Sequence, residues 1–335
     1  MPTSRAMLTI ATYIAVVPVV SAHHSPIAFD GERIVQIQGT VVRFDWNNPH
    51  VYIYLTSTEA GGQPVEWQIE SDWTNDLIRA GWTADSLRPG DQITARVHPA
   101  RSSRLHYSNL ISLQKQDGTI LASWDLGERE QQTGIERATG IAGRWLPTQS
   151  IPQFFDSTAA RVNEAGARAI DSYREIDNPS IQCTPHPLPM RLGMSHVNDI
   201  DIRDDRVVIT SESDRESRVI FTDGRDHSAD GERSLRGHSI GRWEGPVLTV
   251  ETTLFSEHRR GNGLRIPSGP DKRLTERYEP TPDGSRLRLS YVLEDPEYFV
   301  EPVAGEFEWH YAPDFDLIPY SCDLDVARRY LELEQ

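Results

Sequence analysis

Short runs in which apolar and polar residues alternate, each stopped by Gly, Asn, Asp or Pro, recur from Arg33 to Tyr311. Successive side chains of a strand point to opposite faces, so this period of two at strand length commits most of the chain to β-structure. The stops are close together and hairpin-like, which favours antiparallel pairing over the long crossovers of a parallel sheet. The sequence therefore predicts an all-β protein, with helices confined to a few short stretches.

In the first third, Arg33–Phe44, His50–Leu55 and Val65–Glu70 read as three strands, with a turn at Asn47-Asn48-Pro49 and Gly39 as a candidate bulge. The period then changes. Asp72 or Thr74 is placed to cap a short helix over Asn75–Ala80, and Gly81 to stop it. Gln92–His98 and Tyr107–Leu113 supply two further strands. Three strands, a helix and two strands is the order of a five-stranded Greek-key barrel of the oligonucleotide- and oligosaccharide-binding (OB) type.

The same third carries a string of motifs: Ala22-His23-His24-Ser25, Gly39-Thr40-Val41, Trp46-Asn47-Asn48-Pro49-His50, and Gly81-Trp82 through Pro89-Gly90-Asp91. On these, residues 22–113 resemble a bacterial family of exported domains of unknown function. The resemblance implies a folding unit and its boundary, and carries no catalytic residues.

Glu128–Gly140 has linker composition, and Gly143–Pro147 is an extended piece able to dock on a domain. Asp156 or Ser157 is placed to cap a connector helix through Ala159, Val162, Ala165 and Ala169 to Tyr173, whose small-residue face suits close packing. Beyond 181, eight strands are expected: Asp199–Arg203, Arg206–Glu212, Arg218–Thr222, His238–Trp243, Val247–Thr253, Lys272–Glu279, Arg286–Leu293 and Glu306–Tyr311, with a terminal helix over Asp323–Leu333. Eight short strands argue an antiparallel barrel or a strongly curved sheet. This half resembles a recurring exported bacterial module without assigned activity, on Phe221–Arg225, the Gly237–Thr253 hairpin, Thr275–Tyr278 and a Cys near each end. The expected organisation is a signal peptide over 1–22, an OB-like domain over 23–127, a linker and connector helix over 128–180, and a barrel-like domain over 181–335.

Met7–Val20 is an uncharged apolar run behind Arg5, with Val20 and Ala22 at the positions a signal peptidase reads. It is shorter than the roughly 20 residues of a spanning helix, so cleavage after Ala22 and a periplasmic or secreted protein without stable membrane insertion are expected. In an oxidising compartment the only two cysteines, Cys183 and Cys322, are expected to pair. In the chain-entropy model so long a loop gains about 4–5 kcal/mol. With 34 Lys+Arg against 50 Asp+Glu, the net charge of −16 repels phosphate backbones, which argues against nucleic-acid partners and for a small molecule or metal ion.

Three chemical readings follow. First, a chain beginning at His23 has a free α-amine that chelates together with its own Nδ1. A third nitrogen from His24 or His50 (or His98 or His106) then completes a set suited to copper. Disordered polar termini give the same residues without any site, and His50 alone reads equally as a hydrogen-bonded histidine. Second, Asp223, His238 and Glu276, with His227 and Tyr278, are acid/base candidates for an enzyme acting on a small apolar or carbohydrate molecule at a barrel mouth. Alternating charges on strands also mark a solvated face. Third, the barrel is a ligand carrier without catalysis. Trp46, Trp67, Trp73 and Trp82 read as a sugar platform or as barrel core. Gly237-His238-Ser239-Ile240-Gly241 matches the nucleophile-elbow pattern, but it is followed by another β run where that motif needs a helix.

Overall fold

The computed structural model describes residues 29–332, apart from 59–61, 103, 125–130, 148–160, 195, 214–216, 228–230 and 264. The expected signal segment, the cut after Ala22, and His23 and His24 lie outside the described residues.

The N-terminal sheet is built from β1 (Val35–Asp45), β2 (Tyr52–Thr58), β3 (Pro64–Glu70), β4 (Gln92–Pro99), β5 (Tyr107–Lys115) and β6 (Ile120–Ala122). Its order is β3-β2-β1-β4-β5-β6, and a parallel β3–β5 pairing closes five of the strands into a barrel. Val51, Ile53 and Leu55 point inward to meet Ile37, Val41, Ile69, Ile93, Val97 and Leu110, all buried. Burying each such side chain stabilises the fold by about 1.5–3 kcal/mol.

Helix α1 (Thr74–Arg79) follows β3, and Gly81, at φ +87°, takes the chain out of it. Its start is capped from elsewhere. Asn48 Oδ1 accepts from the Thr74 amide at 2.9 Å and from its hydroxyl at 3.0 Å, so neither Asp72 nor Thr74 acts as the expected cap. The bulge falls between Val41 and Arg43 rather than at Gly39. Gly39 instead permits close strand approach: a Cβ there would stand 2.3 Å from the Thr56 carbonyl oxygen.

The C-terminal barrel has nine strands: β7 (Gly143–Pro147), β8 (Asn198–Ile202), β9 (Arg206–Ser211), β10 (Arg218–Phe221), β11 (His238–Glu244), β12 (Val247–Thr253), β13 (Arg273–Pro280), β14 (Arg286–Glu294) and β15 (Val303–Tyr311). All eight expected strands form. The ninth, β7, comes from the stretch read as a connector; it pairs with β15 and β8 and closes the ring. It buries Trp145 and Leu146, which is why so short a segment holds its place. The β10–β11 pair is parallel.

Within the connector, α2 (Glu164–Asp171) starts later than expected. Its cap is Asn163, whose Oδ1 accepts from the amides of Ala165 and Gly166 at 2.9 and 3.0 Å. The expected caps, Asp156 and Ser157, lie outside the described residues. The helix packs closely at Gly166, beside the expected small-residue face: a Cβ there would stand 2.7 Å from the Tyr298 carbonyl oxygen. The terminal helix is shorter than expected, with α3 at Leu324–Arg328 and one 3-10 turn after it.

The two barrels meet along α1. Arg79 pairs with Glu212, which also accepts the amides of Val197 and Ile318 at 3.0 Å each. Asn75 Nδ2 donates to the Ile318 carbonyl at 2.9 Å, and Trp73 packs edge-on against His196. The expected disulfide is present: Cys183 and Cys322 are bonded across 139 positions. Asp323 donates its amide to the Asn48 carbonyl at 2.9 Å, so the bridge fastens the 183 region to the turn that caps α1.

Candidate functional site

Strand parity decides what lines the C-terminal barrel. Leu248, Val250, Leu274, Leu287, Leu289 and Leu293 point inward and fill one part of it. At the other part the chain folds in a plug, residues 185–194, with a 3-10 turn over Met190–Gly193. The plug is held at three points. Trp309 Nε1 donates to the Leu192 carbonyl at 2.7 Å, and Lys272 Nζ donates to the Leu188 carbonyl at 2.7 Å. Gly193 lies so close to the Phe307 ring that a Cβ would come within 2.4 Å of it.

Plug, wall and the 234–236 loop line a partly open cavity of about 380 Å³, at the small end of ligand-site volumes. Leu188, Leu192, Ile209 and Trp309 form apolar wall. Its polar lining is rich in donors, namely Arg191, Arg218, Arg236 and Asn198, with the hydroxyl of Tyr278, and none of the described residues lining it is a carboxylate.

Beneath that lining is a closed polar network. Arg218 Nη1 donates to Glu276 Oε1 at 2.8 Å, and Nη2 to Oε2. Nη2 also donates to Thr252 Oγ1 at 2.9 Å, Nε to Ser239 Oγ at 3.2 Å, and Nη1 to the Tyr278 hydroxyl at 3.3 Å. Tyr278 in turn donates to Glu276 Oε1 at 2.9 Å. Burial opposes the Arg218 charge, but Glu276 outweighs it and the guanidinium is held more firmly protonated than usual. Burial, then Glu276, pushes the Tyr278 hydroxyl up, so it stays a neutral donor.

Of the residues expected to act as acid and base, the structure does not bring Asp223, His238 and Glu276 together. Glu276 points inward and both its oxygens already take donors. His238 points outward, where its Nδ1 faces that of His227 at 2.9 Å and its ring stacks on Phe221. Asp223 sits in the turn after β10, where hydrogen bonds from Arg225 hold its carboxyl down at about 2. Parity separates them: residues one apart on a strand face opposite sides of the wall. Ser239 lies within β11 and accepts from Arg218, so the Gly237–Gly241 stretch is strand, as its flanks implied.

His50 stands at the start of β2, with Nδ1 3.3 Å from the Ser71 carbonyl and 3.4 Å from Glu70 Oε1. The other two members of the copper set, His23 and His24, lie outside the described residues. His98 Nδ1 is 3.0 Å from the Arg33 carbonyl, and His106 meets Trp67 edge-on. The tryptophans form no platform. Trp82 is core, Trp46 and Trp67 pack against it, and Trp73 joins the two barrels.

The sequence does not single out Arg218, Thr252 and Lys272 as functional, and Ser239 is a partner of Arg218 rather than a nucleophile. A signal for Arg218 existed: it opens the short apolar strand Val219-Ile220-Phe221, in register with Ile209.

Residues 12–108 match the profile of a family of unknown function (DUF6152), in agreement with the resemblance read from the motifs of the first third. The match covers the N-terminal barrel through the start of β5 and does not reach the C-terminal barrel. No curated protein matches the chain.

Proposed function

We propose that the protein is an exported small-molecule binding protein whose C-terminal barrel encloses an apolar ligand bearing a hydrogen-bond-accepting, anionic head. The observation that carries this reading is the cavity itself: apolar wall, donor-rich polar lining, and no carboxylate among the described residues that line it. The buried carboxylate of Glu276 is committed to Arg218 and Tyr278, which favours binding without chemistry over catalysis. Export belongs to the proposal through the Met7–Ala22 segment. The test is calorimetric titration with straight-chain carboxylates and with alcohols of the same length. Saturable one-to-one binding that prefers the acid supports the reading; no saturable binding by either series defeats it.

A copper-type site at His23, with His24 and His50, is a second reading. It is favoured by the anchoring of His50 through Nδ1, the arrangement in which a second-shell acceptor orients a ligating imidazole. Mass determination of the mature N-terminus with metal analysis tests it: a start at His23 with one bound copper supports it, and any other start removes it.

A further inference from the structure

Outside the barrel, a pair of imidazoles has a geometry that neither the cavity nor its network uses. His227 comes from the loop between β10 and β11, and His238 opens β11. Their Nδ1 atoms face one another at 2.9 Å, with the rings 5.1 Å apart and nearly perpendicular. His227 Nε2 lies 3.3 Å from Glu251 Oε1, on the same outer face of β12. The backbone fixes this placement. Gly237, at φ +66°, delivers His238, and a Cβ there would stand 2.5 Å from the Thr253 carbonyl oxygen.

From this arrangement we infer that His227 and His238 bind one divalent zinc-type cation between their Nδ1 atoms, with Glu251 as the carboxylate that orients His227. The Glu251 carboxylate, 3.3 Å from Nε2 although outside hydrogen-bond geometry, favours the His227 tautomer with its proton on Nε2 and its lone pair on Nδ1. Without a metal, the contact between the two Nδ1 atoms holds one proton, supplied by His238. A cation takes the place of that proton, which moves to Nε2 of His238 as the ring changes tautomer.

The distances suit the exchange. Two nitrogens bound to tetrahedral zinc at their usual bond length stand about 3.3 Å apart, a few tenths of an ångström wider than here. A small rotation of either ring supplies the difference. The nearest cation, Arg225, is neutralised by its fork on Asp223. Among the described residues no group of three or more His, Cys, Asp or Glu is arranged to hold a metal ion, so water completes the coordination.

The test is titration of the full chain with Zn²⁺, followed by calorimetry in buffers of different ionisation enthalpy. His227→Ala and His238→Ala are each expected to bind one equivalent fewer than the wild type, with unchanged circular dichroism. His50→Ala is expected to retain that equivalent. Glu251→Gln, which keeps both ligands, is expected to weaken it about 10–100-fold. Binding at this site is expected to release no net proton above neutral pH, so its enthalpy should not depend on the buffer. Wild-type protein that takes up no zinc, or histidine variants that bind as the wild type does, would overturn the assignment.

Discussion

Arg218 and Glu276 form a two-pronged ion pair inside the C-terminal barrel, between β10 and β13, and Ser239, Thr252 and Tyr278 are arranged around it. Both side chains are buried, so neither charge has water to fall back on. Breaking such a pair from one side typically costs about 3–5 kcal/mol, because the remaining charge is left uncompensated. Glu276→Gln is therefore expected to lower stability by about that amount in urea denaturation. The double change Arg218→Met with Glu276→Leu should recover much of the loss. A single variant within about 1 kcal/mol of the wild type would mean the pair does not organise the barrel.

Lys272 is fully buried, donating to the Leu188 and Gly261 carbonyls, with its ammonium 4.4 Å from the centre of the Phe255 ring. Burial, opposed by Asp295 and Glu276, brings its amine from 10.5 down to about 7. Between those values the unfolded chain holds one more proton than the fold, so this group makes stability rise with pH, by at most about 1.4 kcal/mol per unit. His258 and Arg260 face the same site and contribute positive charge at low pH. Lys272→Met is expected to flatten the rise in stability between pH 7 and pH 9.5 relative to the wild type. Parallel profiles for the two proteins would contradict this.

Glu70 gives the opposite sign. It lies under Tyr52 and Tyr107, whose hydroxyls both donate to it, and burial raises its carboxyl although His50 pulls the other way. A raised carboxyl contributes stability that is fully present below its ordinary 4.5 and is lost as pH rises through the raised value. Glu70→Gln, which cannot ionise, should remove that decline, as read from melting temperatures across pH 4 to 7. An unchanged decline would show that Glu70 is not its source.

Cys183 and Cys322 link the segment just before the cavity plug to the segment that touches Asn48 of the N-terminal barrel. Replacing both by Ser is expected to cost about 2–5 kcal/mol of global stability. It should also weaken ligand binding, since residues 185–194 lose their covalent tether. Stability loss with unaltered affinity would separate the bridge from the plug.

Much of this architecture was legible because a period of two survives in the strands, and because the change of period at Asp72 marks the helix. The elements that were not legible depend on distant partners. β7 is short and gains its place from the pairings of Trp145 and Leu146 with β15, so in isolation it reads as connector. The α1 cap is Asn48, remote in sequence from the helix it satisfies. For the site, alternation correctly placed Glu276 and Tyr278 on one face, but it cannot say that this face is the inner one. Charged residues on strands usually face solvent, and here Arg218 supplies the compensation that lets Glu276 face inward. The same ambiguity grouped His238 with Glu276 although the barrel wall separates them.

The most direct test of the proposed cavity is to fill it. Ile209 lies on its wall, so Ile209→Phe occupies space that a ligand would need without removing a polar group. Calorimetric titration of this variant and the wild type with the same straight-chain carboxylate is the measurement. The account predicts saturable binding by the wild type and at least a tenfold loss, about 1.4 kcal/mol, in the variant, with no fall in melting temperature. Equal affinity in the two proteins would place the ligand elsewhere and contradict it.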